Sequence, residues 1–255
     1  MAQSLRKTQI LEIARSEGQV AVEELADRFG VSTQTIRRDL TDLSRDGMLD
    51  RVHGGAVMPG AGNLRYADRQ AINEGAKAAI ARTCAAEIPD NSSVLLNLGT
   101  STEAVARALL NHENLTVVTN NLNIAHILAI KDSFQIIVAG GVLRPQDFGL
   151  VGDLTTQAIE QFKVDTAVIG TSALDSDGDL LDFDLQEVRV SRAIISRARR
   201  TFLVTDSSKL GRSAPVRIAS LADIDAIFTD ALPGPLQDRC REWETRVFLA
   251  KPDPA

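Results

Sequence analysis

The ten residues VSTQTIRRDL, which begin at Val31, constrain the fold more than any other part of this chain. Ser32 is a good helix N-cap, because its hydroxyl can accept a hydrogen bond from an unpaired amide of the first turn. Val31 and Ile36 stand where a hydrophobic staple would lie. Ile36, Leu40 and Leu43 recur at helical spacing. The stretch therefore predicts a short helix with one apolar face.

The opposite side of this predicted helix is polar and rich in Arg. It carries Gln34, Arg37, Arg38 and Thr41. Arg pairs bidentately with guanine and Gln with adenine, so a rigid helix that presents both suits the major groove of DNA. A solvated surface helix is the alternative interpretation of this stretch taken alone.

The flanking residues favour DNA binding. Residues 5–17 and 23–29 have helical apolar spacing, and Gly30 follows where a helix end needs a residue that tolerates positive φ. This is the order of a helix-turn-helix, with the helix after Ser32 as the recognition element. Residues 49–57 alternate and turn at a Gly pair, which predicts a small hairpin, or wing. The predicted DNA-contacting residues lie on the recognition helix or the wing: Ser32, Thr33, Gln34, Thr35, Arg37, Arg38, Arg51 and His53.

The run S-x-x-T-I-R-R-D-L, preceded by E-E-L-A and followed by H-G-G-A, resembles the winged helix-turn-helix of DeoR-type bacterial transcriptional repressors. The resemblance extends over nearly the whole chain and implies a repressor that binds double-stranded operator DNA. Ala21 departs from the pattern, since such proteins usually have a Ser that caps the second helix. A cap of this kind contributes about 1 kcal/mol, so we expect weaker local stability and unaltered DNA contact.

The charge of the chain does not by itself indicate a nucleic-acid binder. The formal net charge is −6, and residues 1–58 hold eight Lys or Arg against nine Asp or Glu. Affinity must therefore come from local placement of cations, and we expect weak non-specific binding. One Tyr and one Trp argue against stacking platforms for single-stranded nucleic acid. The cations expected on the DNA-facing side are Arg6, Lys7, Arg37, Arg38 and Arg51.

The two cysteines, Cys84 and Cys240, are far apart and have no close spacing to the three His residues. No zinc site, disulfide framework or cofactor is therefore expected, and two unpaired thiols fit a reducing cytoplasm. The polar amino terminus has no signal-peptide core, and no apolar run is long enough to span a bilayer. These features predict a cytoplasmic protein without bound metal.

The amino-acid composition and the spacing of apolar residues change after residue 58. We predict three regions: a winged helix-turn-helix domain at 1–58, called the head, a linker at 59–75 and a sensor domain at 76–255. Alternating strands and helices in the third region predict an α/β fold with a mostly parallel sheet. The predicted strands are 94–98, 115–119, 135–139, 166–169, 201–205 and 226–229. The predicted helices are 76–87, 103–110, 122–130, 155–161 and 187–199.

Polar residues follow these strands at their carboxyl ends, where parallel sheets bind ligands. Gly lets backbone amides approach a ligand, and hydroxyls beside a helix N-terminus suit a phosphate. The alternative for each loop is that Gly and Thr only shape turns and cap helices. The candidate ligand residues after the strands are Gly99, Thr100, Ser101, Thr102, Thr119, Asn120, Asn121 and Lys209.

Two acids complete the candidate site. Asp184 and Glu187 stand at the start of a predicted helix, where they can cap it or accept hydrogen bonds from ligand hydroxyls. Residues 175–179 resemble a calcium loop but lack the downstream Glu of an EF-hand, so we expect an acidic turn.

The second region resembles the sensor domain of DeoR-type repressors. The resemblance implies a fold similar to ribose-5-phosphate isomerase, a sugar or polyol phosphate as ligand, and ligand roles for residues 99–102, 119–121, 182–189 and 206–211. Within the family, the likeness of the motifs T-N-N-L-N-I-A and F-D-L-Q-E-V-R implies glycerol 3-phosphate as the ligand. Asn97 and Thr102 depart from the family pattern beside the predicted phosphate loop. The resemblance therefore indicates the class of ligand, a phosphate ester, more strongly than it indicates which ester binds.

The leading hypothesis is a repressor that binds operator DNA as a homo-dimer or homo-tetramer and responds to a small phosphorylated metabolite. Two recognition helices require half-sites about one helical turn apart. The main alternative is a sugar-phosphate isomerase-like enzyme with an accessory head, in which Asp184, Glu187 and Lys209 supply acid-base groups. A protein-interaction module that uses the winged head is the weaker alternative. Residues alone leave open the operator and the sign of the metabolite's effect.

Overall fold

The structure, a computed structural model, describes residues 2–17, 19–46, 48–52, 55–57, 66, 70 and 72–251. The chain divides into two compact units, Met1–Arg69 and Gln70–Ala255.

The first unit contains the three predicted helices and a small antiparallel sheet. The strand order is β1-β3-β2, so β3 pairs with both neighbours. The sequence predicted the hairpin of β2 and β3 but not β1. Gly55 allows the close approach of β1, since a Cβ at this position would lie 2.1 Å from the Val20 carbonyl oxygen. The elements are α1 (Ala2–Glu17), β1 (Gln19–Ala21), α2 (Val22–Phe29), α3 (Thr33–Arg45), β2 (Asp50–Val52) and β3 (Gly55–Val57).

The turn between α2 and α3 has the predicted chemistry. Gly30 adopts φ 62° at the end of α2, and the Ser32 hydroxyl accepts a hydrogen bond from the Thr35 amide at 3.2 Å. Ala21 precedes α2 without a side-chain cap, as its methyl group requires. Ile36 and Leu40 are fully buried in the core of this unit. The predicted N-cap and apolar face of α3 are confirmed.

Ion pairs join α1 to α3. Arg6 Nε donates to Asp39 Oδ2 at 2.6 Å, and Lys7 Nζ donates to Asp42 Oδ2 at 2.8 Å. Asp39 is 1% exposed, whereas the side chain of Asp42 is 24% exposed. The Lys7 hydrogen bond holds the pKa of Asp42 below its usual range. The buried pair therefore fixes α1 against the back of α3, and the second pair is screened by solvent.

The second unit is built on one seven-stranded parallel sheet. Its order is β15-β14-β12-β9-β4-β5-β6. Its helices are α4 (Glu74–Ala85), α5 (Thr100–Ala108), α6 (Leu122–Leu128), α7 (Asp153–Ile159), α8 (Leu185–Ser196) and α9 (Gly234–Glu242). The strands of this sheet are β4 (Ser93–Leu96), β5 (Thr116–Thr119), β6 (Gln135–Val138), β9 (Val164–Ile169), β12 (Ala198–Val204), β14 (Ala226–Thr229) and β15 (Arg246–Leu249).

Apolar side chains cover both faces of this sheet. Along β4, Val94 and Leu96 lie in one core cluster, and Leu95 lies in the other. Phe202 and Phe228 are fully buried in the first cluster, with ring centroids 5.2 Å apart. Burial on both sides explains why these strands are continuous apolar runs without alternation.

The order of the strands changes direction in the middle of the sheet. The chain begins at β4 and adds β5 and β6 on one side, then crosses and adds β9, β12, β14 and β15 on the other. The direction changes between β4 and β9, and ligands of open α/β sheets bind outside the carboxyl ends at such a point. The predicted fold class is confirmed, and all six predicted strands are present.

Two smaller sheets flank the large one. A hairpin pairs β7 (Val142–Arg144) with β8 (Gly149–Val151), and β10 (Ala173–Leu174), β11 (Asp179–Asp182) and β13 (Val216–Ser220) form an antiparallel sheet. Residues 175–179 form the predicted acidic turn, in which the Asp177 and Asp179 amides donate to Asp175 Oδ1. Among the described residues, no helix has the length and apolar character needed to cross a membrane.

The pair between α1 and α3 makes a testable prediction about stability. Arg6→Ala removes the guanidinium that pairs with the buried Asp39 carboxylate, so we expect a loss of about 3 kcal/mol in the free energy of unfolding. Lys7→Ala is the matched control and should cause a much smaller loss, because Asp42 is in contact with water. Thermal and urea unfolding of both variants measure the difference. Equal losses would contradict the role of burial.

Candidate nucleic-acid interface and ligand site

The polar face of α3 is open to solvent. Ser32, Thr33, Gln34, Arg37 and Arg38 are exposed. Within the part of the chain that the structure describes, neither Arg37 nor Arg38 makes an ion pair. A capped helix therefore presents two guanidinium groups and an amide together, as major-groove readout requires.

The remaining predicted DNA-contacting residues are either partly buried or outside the described residues. Thr35 is half-buried, because its hydroxyl lies 2.9 Å from the Ser32 hydroxyl within the cap. The side chain of Arg51 and the whole of His53 lie outside the described residues.

The sequence grouped Arg6 and Lys7 with the DNA-facing cations, and the structure instead engages both with carboxylates of α3. The physical reason is that Asp39 is buried on the apolar side of α3 and a buried carboxylate needs a partner. A cation count along the head could not detect this pairing. Arg37 and Arg38 are thus the exposed cations of α3 that make no ion pair among the described residues, whereas the exposed Arg45 at the end of α3 pairs with Asp42.

In the second unit, the loop after β4 opens α5 at the carboxyl edge of the sheet. Gly99 adopts φ 135°, and Gly99, Thr100 and Ser101 are half-buried. The first-turn amides of a helix have no partner within the helix, so this loop can receive an anion. Thr102 is fully buried and donates its hydroxyl to the Gly99 carbonyl at 2.7 Å. Thr102 thus shapes the loop that the other three residues present.

The loop after β5 is buried and hydrogen-bonded within the chain. Thr119 donates to the Leu96 carbonyl at 2.8 Å, and Asn120 Nδ2 donates to the Leu150 carbonyl at 3.1 Å. Asn121 caps α6 by accepting from the Asn123 amide at 2.7 Å. These predicted ligand residues hold neighbouring loops in position. Asn120 Oδ1 is buried and has no partner among the described residues.

Glu103 is a buried acid in this site that the sequence analysis did not single out. Its Oε1 accepts from Asn121 Nδ2 at 3.3 Å and from Asn123 Nδ2 at 3.1 Å. Glu103 is fully buried on α5, three residues before the buried Ala106. An acid at the apolar spacing of a helix was therefore the available signal.

Arg144 is the second residue that the sequence analysis missed. It forms the Arg144 cluster with Asp147, Asp184 and Glu187, donating Nη2 to Asp147 Oδ2 at 2.6 Å, Nη1 to Asp184 Oδ2 at 2.9 Å and Nη2 to Glu187 Oε2 at 2.7 Å. Asp184 also caps α8 by accepting from the Gln186 amide. The two acids predicted as ligand residues are thus brought together on one guanidinium. Their role towards a ligand stays a prediction.

The Arg144 cluster holds more carboxylates than one Arg neutralises, and Asp182 adds a further buried acid. Burial and the charge of Asp182 together raise the pKa of Glu187 to about 8, although Arg144 opposes the shift. Burial also raises the pKa of Asp182 above its ordinary value. This part of the site therefore holds a proton near neutral pH.

The loop after β12 carries the predicted cation. Lys209 ends a 3₁₀ turn, Ser207–Lys209, and is half-buried. Burial alone would raise the pKa of Asp206, but hydrogen bonds from Ser208 and Asn73 and the charge of Lys209 lower it overall. Thr205 Oγ1 and Asp206 Oδ2 are buried without a partner among the described residues. Buried polar atoms of this kind are uncommon in proteins, and they are places where a ligand can complete the hydrogen bonding. No cluster of metal-ligating side chains occurs within the described residues.

An exposed recognition helix in one unit, and polar strand ends on a parallel sheet in the other, define a DNA-binding regulator with a sensor domain. The chain belongs to the DeoR family: residues 6–60 match the DeoR-like helix-turn-helix domain, and residues 72–231 match the DeoR C terminal sensor domain.

Two repressors similar in sequence support the same class. The chain is 47% identical to the glycerol-3-phosphate regulon repressor of Escherichia coli (strain K12), over 91% of this chain and 93% of that one. It is 44% identical to the repressor of the same name from Haemophilus influenzae, over 98% of both chains. Ribose 5-phosphate isomerase A from Methanocaldococcus jannaschii has a TM-score of 0.40 at 14% identity, covering 54% of this chain and 55% of that one. The protein is a metabolite-responsive transcriptional repressor and not an enzyme.

The raised pKa of Glu187 predicts a specific pH dependence of stability. The unfolded chain releases this proton near pH 4.5, whereas the folded chain holds it up to about pH 8. The unfolded state binds fewer protons over that interval, so stability falls as the pH rises through it and levels off above about 8. Glu187→Gln should remove this part of the decrease.

Melting temperatures measured between pH 6 and pH 9 test the prediction. Glu113→Gln is the matched control, because the Lys131 hydrogen bond holds the pKa of Glu113 below its ordinary value and far from this range. A decrease in Glu187→Gln as steep as in the unsubstituted protein would count against the assignment.

Proposed function

We propose that the protein represses transcription by inserting α3 into the major groove of operator DNA, and that glycerol 3-phosphate bound at the carboxyl edge of the large sheet controls that affinity. The observation that carries the proposal is the exposed face of α3, on which Gln34, Arg37 and Arg38 stand free of ion pairs within the described residues. The relatives' name, glycerol-3-phosphate regulon repressor, supplies the identity of the metabolite.

The head suits sequence-specific binding more than general attraction to DNA. Its acids nearly balance its cations, and two of the cations are held by Asp39 and Asp42. Non-specific affinity depends on the number of neutralised phosphates, so it should be weak. Specific affinity depends on a few base contacts, which Arg37 and Arg38 can make.

The sensor unit suits a small phosphate ester with hydroxyl groups. Gly99, Thr100 and Ser101 offer amides and hydroxyls at the N-terminus of α5, and Lys209 offers an ammonium from the loop after β12. Asp206 Oδ2 and Thr205 Oγ1 offer buried oxygens to ligand hydroxyls. These groups suit a ligand that has an anion at one end and hydroxyl groups at the other, as glycerol 3-phosphate does.

We further propose a homo-dimer or homo-tetramer that acts in the cytoplasm, with residues 59–75 as the linker between head and sensor. Two recognition helices read half-sites about one helical turn apart. The ligand can switch DNA binding only if it has unequal affinity for two arrangements of the heads.

The DNA proposal is tested by single substitutions on α3. Arg37→Ala or Arg38→Ala should weaken binding to the operator upstream of the chain's own operon about tenfold, as expected for the loss of one bidentate base contact. Arg241→Ala removes an exposed Arg of the sensor unit and is the matched control. Gel-shift titrations measure the affinities. Unchanged affinity in both α3 variants would favour a protein-interaction role for the head.

The ligand proposal is tested at Lys209. Glycerol 3-phosphate should raise the melting temperature of the unsubstituted protein, because a ligand that binds only the native state stabilises it by mass action. Lys209→Ala should bind operator normally and lose most of this shift and of the response to the metabolite. Lys163→Ala is the control, since Lys163 is exposed just before β9, at the opposite edge of the sheet. Normal induction of Lys209→Ala would remove this residue from the site.

A further inference from the structure

The segment that enters the sensor unit is tied to two loops at the carboxyl edge of the sheet. Gln70 Nε2 donates to Glu103 Oε2 at 3.4 Å, and Asn73 Nδ2 donates to Asp206 Oδ1 at 2.8 Å. Glu103 lies on α5 directly after the predicted phosphate loop, and Asp206 is the second residue after β12. Residues at the end of the proposed linker therefore contact both sides of the proposed ligand site.

The backbone at Asn73 is arranged for this contact. Asn73 adopts φ 54° immediately before α4, and its side chain makes no hydrogen bond to that helix. An Asn at a helix start ordinarily accepts from the first-turn amides. Here its amide instead reaches a carboxylate 133 residues away in the chain. The left-handed conformation, which Asn tolerates better than most residues, is consistent with a side chain directed away from its own helix.

Both acids also contact the ligand-binding loops. Glu103 Oε1 accepts from Asn121, which follows β5, and from Asn123 in the first turn of α6, so one carboxylate joins three segments. Asp206 Oδ1 is shared between Asn73 and the Ser208 amide, while Asp206 Oδ2 is buried and has no partner within the described residues. A ligand hydroxyl that donates to Asp206 Oδ2 would therefore act on the same carboxylate that holds Asn73.

We propose that Asn73 and Gln70 transmit occupancy of the ligand site to the linker, through the carboxylates of Asp206 and Glu103. The inference rests on the proposed function, because it specifies how that site controls the head. A hydroxyl group of the metabolite redistributes the hydrogen bonds of Asp206. Its phosphate accepts hydrogen bonds from the first-turn amides of α5. Both changes alter the anchoring of the segment that leads to the helix-turn-helix unit. Asn73 and Gln70 are positioning residues and bind neither DNA nor metabolite.

The test separates coupling from binding. Asn73→Gly removes the amide and keeps a residue that accepts positive φ. Asn114→Gly is the matched control, because Asn114 also has positive φ, at 56°, and its side-chain amide donates to Asn91 at 3.0 Å, away from the site. Both variants are made in the full chain. Operator affinity is measured with and without glycerol 3-phosphate, and binding of glycerol 3-phosphate is measured by calorimetry.

The expected result is specific to coupling. Asn73→Gly should keep the operator affinity of the metabolite-free protein and its affinity for glycerol 3-phosphate. The ratio of operator affinities without and with the metabolite should fall about fivefold or more towards one. Asn114→Gly should retain the full ratio. Gln70→Ala removes the second link and should reduce the ratio in the same direction, which provides a second reading if Asn73→Gly does not fold.

Two results would overturn the inference while leaving the proposed function in place. The first is a full metabolite response in both Asn73→Gly and Gln70→Ala. The second is loss of glycerol 3-phosphate binding by Asn73→Gly, since that would make Asn73 a ligand residue. If the unsubstituted protein itself shows no change of operator affinity with glycerol 3-phosphate, the proposed function fails and the inference fails with it.

Discussion

The sensor unit depends on one constraint: polar groups buried at the carboxyl edge of a parallel sheet must find hydrogen-bond partners within the protein. Thr119 donates a hydrogen bond to the Leu96 carbonyl of the neighbouring strand β4, and Asn120 donates one to the Leu150 carbonyl of the β7-β8 hairpin. Asn121 reaches Glu103 on α5. Because each unsatisfied group costs about 1–3 kcal/mol, these bonds lock neighbouring loops together. The atoms that remain unpaired, such as Asp206 Oδ2, then stand out as sites for a ligand.

A related constraint shapes the head. Asp39 is buried against the core, so Arg6 must remain beside it. This engages one cation with a buried acid and leaves Arg37 and Arg38 as the exposed cations of α3 without an ion pair among the described residues. A nearly neutral head can thus present a concentrated positive face without strong attraction to DNA of any sequence. Specific repression depends on this difference between specific and non-specific affinity.

Much of the fold could be predicted because it depends on neighbouring residues. The apolar run at 94–96 and its equivalents identified six of the seven strands of the large sheet. The strand missed was β15, whose first and last residues, Arg246 and Leu249, are exposed at the edge of the sheet. Helix α5 begins three residues before its prediction, because Gly99 turns the chain and the hydroxyl residues after it enter the first turn.

The site was less predictable from the sequence than the fold. Its strand-end loops were identified, whereas Arg144 and Glu103 were not, since the partners Asn121, Asp184 and Glu187 lie 18, 40 and 43 residues away along the chain.

The sequence by itself determined the caps, the turn at Gly30, the polar face of α3 and the alternation of strands and helices, because each follows from residues within one or two helical turns. Tertiary structure decided which carboxylates surround Arg144, that Arg6 faces Asp39, and that Asn73 reaches Asp206. These contacts join residues 33 to 133 positions apart, or gather acids from separate segments on one guanidinium. The physical reason is that strand order and helix packing bring distant residues together, and the spacing of residues along a chain does not specify that order.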